Sequence, residues 1–375
     1  MSIETDTALA GLSREVAIDI LVHGAQTRSS VGRRMGISPA TVTRLVRPLL
    51  DSDVLVETEA YRTAERGRNA FALDVVPGRY RFIGVKLTAD SVYAVVTDLR
   101  ASILDRVTVE LSSLEVAEVV TTVRSVVDEL SARGARTVDA VGVTVGGLVT
   151  DGEVVADSPF MHWRDVPLRS ILAAELNVPV YLDNDVVGLT KVQHWFGEGT
   201  GHESFALITI GAGIGYGLVI NHQQIPTGVA PISHYPVNPG GRLCSYGHRG
   251  CMTAMVSSGS IASAVSEVIG HPVGFSEALE LARSGDPRAV SVIDESARAL
   301  GRAAAAVSTM TGVRRIILSG EGVDIASIAA EALQDGVSEF DIREVDHHDL
   351  VVRPMAFDEW ARGAAVVAIQ SSFPA

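Results

Sequence analysis

The feature that most constrains this chain is a pattern that occurs twice. From Phe82 to Asp98 an apolar strand, a short polar turn and a second apolar strand follow one another, and "FALITIGAGIGYGLVI" repeats that order from Phe205 to Ile220. After the first copy come a third strand (Ile103 to Glu110) and a helix with Val116, Val119, Val120, Val123 and Val127 at helical spacing, closed by Gly134. A strand "VDAVGVTVG", a helix ending near Asn177 and the strand "VPVYLDND" complete a β-β-β-α-β-α-β unit. After the second copy come an alanine-rich helix with Val290, Ile293, Ala297, Leu300, Ala304 and Val307 on one stripe and the strand "RRIILSG". The helix-connected strands are apolar throughout rather than alternating, as expected for strands covered on both faces. The pattern predicts two similar α/β lobes with a cleft between them.

With 375 residues and 47% hydrophobic content, the chain is long enough for two or three domains that each bury a core. No apolar run approaches the roughly 18 to 20 residues of a membrane span, and "MSIETDTALA" lacks the order of a secretory signal, so a cytoplasmic protein without a membrane partner is expected. Only Cys244 and Cys251 occur, which argues against a disulfide framework and leaves a metal site or buried thiols. The formal charge of -14 is unevenly spread: Arg28, Arg33, Arg34, Arg44 and Arg47 lie in a stretch with no acidic residue. Such a contrast marks a face for a polyanion on a body that repels one.

That stretch has the grammar of a helix-turn-helix. Val16, Ala17, Ile20 and Leu21 give a packing helix from Ser13 to Val22, Thr27 caps a second helix through Met35, and Gly36 makes the turn. Ser38 and Pro39 then supply an N-cap and a first-turn proline for a third helix. On it Val42, Leu45, Val46 and Leu49 face the core, and Pro48 is expected to kink or end it. The expected DNA contacts are Arg28, Arg33, Ser38, Ala40, Thr41, Thr43, Arg44 and Arg47, with Arg44 the base reader because a guanidinium can take guanine O6 and N7 together. From Asp53 to Val75 two alternating apolar stretches flank a polar tip, predicting a wing whose Arg66 and Arg68 touch DNA.

The motifs "YLDNDVVGL", "TIGAGIGYGLVI", "LCSYGHRGC" and "ILSGEG", in that order, resemble the ROK family of sugar kinases and sugar-responsive repressors over nearly the whole chain. The winged helix-turn-helix in front is similar to that of the repressor branch. The resemblance implies an α/β, actin-like ATPase (ribonuclease H-like) body of two lobes behind an N-terminal winged helix-turn-helix. The expected boundaries are 1–76 for the DNA-binding domain, 77–190 for a first lobe completed by 358–375, and 191–357 for a second lobe.

The kinases of this family open their first strand with Asp-x-Gly-Gly-Thr, and Lys86, Leu87, Thr88, Ala89 and Asp90 stand at those positions. A cation does not hold magnesium, and a loop without glycine keeps phosphate from close approach, so ATP binding and phosphoryl transfer are not expected. Asp185, after Asn184, matches the kinases' catalytic base and in a regulator serves to bind a sugar hydroxyl; it is equally a candidate helix N-cap. Gly147, Asn184, Asp185 and His234 form the expected effector set, for a sugar or sugar derivative held between the lobes. Pro231 and Thr253 stand where the resemblance places glutamates, which implies a changed ligand or none, the latter leaving a ligand-independent regulator. The family's structural zinc is bound by one His and three Cys; His234, Cys244 and Cys251 match, Tyr246 replaces the middle cysteine, and His248 offers a fourth nitrogen. The expectation is a non-enzymatic transcriptional regulator, a repressor acting as homodimer or homotetramer on a palindromic operator.

Overall fold

Apolar side chains at helical spacing build the first helix of the computed structural model, which describes residues 11–58, 71–134, 136–227, 231–339 and 349–372. Helix α1 (Leu12–His23) buries Val16, Ala17, Ile20 and Leu21. After the short strand β1 (Gln26–Thr27), α2 (Arg28–Met35) starts with Thr27 Oγ1 accepting from Ser30 N at 3.2 Å. Gly36 takes the left-handed φ of 67° that a side chain would resist, and the chain turns into α3 (Pro39–Asp51). Strands β2 (Leu55–Thr58) and β3 (Ala72–Val75) pair antiparallel, and β1 joins them in the order β1-β3-β2. Three helices with this small sheet form the winged helix-turn-helix. The expected wing tip, with Arg66 and Arg68, lies outside the described residues.

Two details differ from the sequence reading. Helix α3 continues past Pro48 to Asp51, because a proline near the end of a helix removes only one late hydrogen bond. Leu45 is half-buried, whereas Val42, Val46 and Leu49 are fully buried, so the stripe facing the core is narrower than expected.

The chain divides into two compact units, one comprising residues up to Phe196 together with Asp358–Ala375, the other Gly197–Phe357. In the first unit, β4 (Phe82–Leu87), β5 (Ser91–Thr97), β6 (Ile103–Glu110), α4 (Val116–Arg133) and β7 (Ala140–Val145) are followed by a small antiparallel sheet of β8 (Leu148–Thr150), β9 (Val154–Ser158) and β10 (Trp163–Val166), then α5 (Leu168–Leu176), β11 (Val180–Asn184) and α6 (Asp185–Phe196). The main sheet runs β11-β7-β4-β5-β6, with β4, β7 and β11 parallel. The small sheet was not anticipated, because its three- to five-residue strands carry too little periodicity.

The second unit contains β12 (Phe205–Ile210), β13 (Ile214–Ile220), β14 (Gln223–Ile225), α7 (Met252–Val256), α8 (Ser258–Ile269), α9 (Phe275–Arg283), α10 (Pro287–Thr311), β15 (Arg315–Gly320), α11 (Ile325–Ile328), α12 (Ala330–Ser338) and β16 (Asp349–Pro354). Its sheet order is β14-β13-β12-β15-β16, so the topology around β12 repeats that around β4, antiparallel on one side and parallel on the other. The duplicated sequence pattern is thus a duplicated sheet.

Helix α13 (Phe357–Ser372) packs on the first sheet, and glycine makes this possible. A Cβ at Gly84 would lie 1.9 Å from Ala361 O, and one at Gly142 would lie 1.8 Å from Ala364 O. The winged region is tied to the same sheet: Leu99 N donates to Pro77 O at 3.0 Å, Arg79 Nε to Ser52 O at 3.2 Å, and Arg100 pairs with Asp74.

Candidate functional site

The sequence gives α3 a defined start. Ser38 Oγ accepts from Thr41 N at 3.1 Å and bonds Thr41 Oγ1 at 2.9 Å, which satisfies an otherwise open helix-terminal N–H. Thr43, exposed on the same helix, donates its hydroxyl to Pro39 O at 2.9 Å. Arg33, Arg44 and Arg47 are exposed and form no ion pair with any described residue, and Ala40 is exposed beside them. Two other arginines of the acid-free stretch are engaged. Arg28, expected at the DNA, pairs with Glu57 on β2, and Arg34 meets Asp19 Oδ1 at 3.1 Å. A stretch acid-free in sequence meets acids from other elements once folded.

In the second unit the sequence "LCSYGHRGC" forms a small knuckle. Cys244 N donates to His248 O at 2.7 Å, Gly247 N to Cys244 O at 2.9 Å, and Pro236 pairs with Cys251 in an antiparallel bridge. This brings His234 Nδ1 to 3.6 Å from Cys244 Sγ and 3.7 Å from Cys251 Sγ. The ligand atoms of His234, Cys244, His248 and Cys251 all lie within 4.8 Å of one another. Tetrahedral coordination with bonds of about 2.0 to 2.3 Å sets donors roughly 3.5 Å apart, so two sulfurs and two imidazoles at these separations fit a metal ion. Burial, with His248 beside it, lowers the His234 pKa, and burial pushes the Cys251 thiol up, the neighbouring Cys244 adding to the rise. Tyr246, at the position of the family's middle cysteine, is 76% exposed and its ring stands edge-on to His234 with centroids 4.8 Å apart. His248 therefore completes the cluster. His234, expected also in the effector set, lies in this cluster.

In the first unit the end of β11 gathers the remaining effector residues. Asn184 Nδ2 donates to Gly147 O at 2.8 Å, while Asn184 Oδ1 accepts from Val186 N at 2.8 Å and Val187 N at 3.2 Å, capping α6. The cap is thus Asn184 rather than Asp185. Asp185 Oδ2 instead forms an ion pair with Lys86 Nζ, their side chains 15% and 7% exposed. Further along α6, Lys191 pairs with Asp183 at 3.0 Å. A sequence signal for these pairs existed and was missed: of 31 Lys and Arg residues only Lys86 and Lys191 are lysine, and the fold brings both to one strand end.

The glycine turn of the second sheet is occupied by the chain itself. Ala212 N donates to Glu321 Oε1 at 3.0 Å, and a Cβ at Gly211 would lie 1.8 Å from that oxygen. A carboxylate of this protein sits where a phosphate-cradling loop would leave room for an anion. No helix of the described residues is long and apolar enough to cross a membrane.

The chain is 22% identical over 331 residues to the DNA-binding transcriptional repressor Mlc of Escherichia coli (strain K12), covering 84% of this chain and 82% of that protein. Its fold is similar to that of a ROK family transcriptional regulator described as a homolog of the E. coli Mlc protein, with a TM-score of 0.80, 22% identity and 96% of each chain covered. A ROK family glucokinase from Streptomyces griseus, in complex with glucose and AMPPNP, is similar at a TM-score of 0.65 and 25% identity, 76% of this chain covering 98% of the kinase. Residues 82–371, which begin where the winged region ends, match the ROK family, and the chain belongs to it.

Proposed function

We propose that this protein is a sequence-specific DNA-binding transcriptional regulator, a repressor controlled by a sugar or sugar derivative, and that it does not transfer phosphate. The carrying observation is the exposed face of α3, where Arg44 and Arg47 stand without acidic partners among the described residues, on a helix that Ser38 starts. Helices so placed dock in the major groove, with a guanidinium reading guanine and neighbouring cations holding phosphates. Likeness to a regulator along 96% of both chains supports the same reading. Lys86 in place of a metal-holding acid and Glu321 in the glycine turn argue against ATP as a ligand.

Two copies of α3 in a homodimer, or in each half of a homotetramer, would meet half-sites about 34 to 36 Å apart or a multiple of that, giving a palindromic operator. An effector with different affinity for two conformations of the protein then shifts its affinity for DNA. The His234, Cys244, His248 and Cys251 cluster is assigned to structural zinc, which accepts two thiolates and two imidazoles in a closed tetrahedron. The absence of a membrane-length helix among the described residues fits a protein working on DNA in the cytoplasm.

The test is selection from a random DNA pool followed by binding at increasing salt. A palindromic consensus is expected, with log affinity falling by about 0.9 per log unit of salt for each neutralised phosphate. A salt-independent affinity, or no enriched sequence, would overturn the reading.

A further inference from the structure

Of the 31 Lys and Arg residues only two are lysine, and those two lysines pair with Asp185 and Asp183 on either side of Asn184. A lysine differs from an arginine in carrying a compact ammonium with three N–H donors on a thin stem. Lys86 uses one donor on Asp185 Oδ2, and its Nζ lies 5.4 Å from the centroid of the Trp360 ring. Among the described residues its other N–H groups meet no hydrogen-bond acceptor, although the side chain is only 7% exposed. The carboxylate is in the opposite state: Asp185 Oδ1 accepts from Val186 N at 2.9 Å while Oδ2 is held by Lys86. Each oxygen of the carboxylate is thus already engaged inside the protein, whereas the ammonium keeps N–H donors that no described acceptor takes.

An aromatic ring borders the same space. A Cβ at Gly146 would lie 3.3 Å from Asp185 Oδ2 and 3.2 Å from Phe160 Cδ2, so Gly146 keeps clear a point that the ion pair and the ring both touch. Phe160 is 45% exposed, a large apolar side chain left open beside a buried charge pair. Ser158, two residues earlier, fixes this segment by donating its buried hydroxyl to Gly146 O at 2.6 Å. An apolar platform next to a few oriented polar groups is the usual make-up of a small-molecule site.

We propose that Lys86 and Phe160, rather than the Asp185 carboxylate, hold the effector: Lys86 donates a hydrogen bond to an oxygen of a monosaccharide, and Phe160 packs against the C–H face of its ring. The inference rests on the sugar-responsive reading above and names the contacts and their polarity. A site where a free aspartate would accept a hydroxyl proton becomes one that donates, with Asp185 holding the ammonium in place.

The sign of one substitution separates these cases. Lys86→Met removes the donor and at the same time frees the Asp185 carboxylate, so affinity falls if Lys86 is the contact and rises if Asp185 is. Calorimetric titration of the full chain with D-glucose, D-xylose, N-acetyl-D-glucosamine and D-glucose 6-phosphate supplies the probes. For any that binds, Lys86→Met and Phe160→Ala are each expected to weaken binding at least ten-fold. Tighter binding by Lys86→Met, or unchanged binding by Phe160→Ala, overturns the proposal and leaves the sugar-responsive reading standing. Should Lys86→Met fail to fold, Phe160→Ala decides, since a half-exposed ring carries little of the core. If the wild type binds none of the four, the effector reading itself fails and this inference with it.

Discussion

Lys86 and Asp185, 99 residues apart in the chain, form an ion pair at the C-terminal ends of the parallel strands β4 and β11. Both side chains are largely buried, so removing one leaves the other charged in a poorly solvating site. Lys86→Met is expected to cost on the order of 3 kcal/mol in denaturant unfolding, and Lys86→Met with Asp185→Asn to recover most of it. Equal losses in the single and double variants would contradict a mutually compensating pair.

Arg44 and Arg28 belong to the same basic stretch but stand in different surroundings. Arg44→Ala is expected to lower the salt slope of DNA binding by about 0.9 and to relax sequence preference at one base pair by roughly 1–3 kcal/mol. Arg28→Ala, which breaks the pair with Glu57, is expected to leave that slope unchanged and to lower stability by less than about 1 kcal/mol, as exposed pairs do. Fluorescence anisotropy across a salt series distinguishes the two.

The metal assignment predicts different outcomes for neighbouring residues. Tyr246→Phe retains one equivalent of zinc by elemental analysis, because the exposed tyrosine is not a donor. His248→Ala lowers zinc affinity by at least ten-fold in competition with a chelator. Chelation lowers the unfolding temperature of the wild type, since an ion bound only by the native state stabilises it by mass action.

Gly84→Ala drives a methyl into Ala361 O and Ala365 N, both backbone atoms of α13. A loss of roughly 3 kcal/mol is expected from overpacking of this kind. Thermal unfolding measures it, and a loss below 1 kcal/mol would mean that α13 is not seated on the sheet as described.

Acid sensitivity is expected at the start of α10. Asp286 caps this helix, and hydrogen bonds from the Arg288 guanidinium and then from the backbone N–H groups of Arg288 and Ala289 hold its carboxyl at about 2, below the ordinary 3.8. A depressed carboxyl contributes stability that is complete above pH 3.8 and disappears as pH falls toward 2. Asp286→Asn keeps a capping oxygen without the charge, so the wild type should be more stable than the variant at pH 5, with the advantage vanishing by pH 2. Urea unfolding at stepped pH reports the difference.

The elements that were legible in the sequence are those set by local rules. Thr27, Gly36, Ser38 and Pro39 punctuate the winged helix-turn-helix through caps, a left-handed turn and a preset φ, all determined by residues adjacent in the chain. Runs such as "FALITI" mark buried strands because both faces are apolar. The strands from Leu148 to Val166 escaped notice because so few residues give no measurable period.

By itself the sequence determined the element order, the duplicated α/β pattern, the basic stretch and the residue types of the metal knuckle, since each depends on spacing within one segment. Tertiary structure alone decided what those residues meet. It set Arg28 on Glu57 and left Arg44 exposed, brought His248 beside His234, Cys244 and Cys251 while Tyr246 stays exposed, and filled the glycine turn with Glu321. It also joined Lys86 to Asp185 and placed Phe160 beside them. The physical reason is the same throughout: a charge or a hydrogen bond is governed by the partner within about 4 Å, and that partner comes from a distant part of the chain.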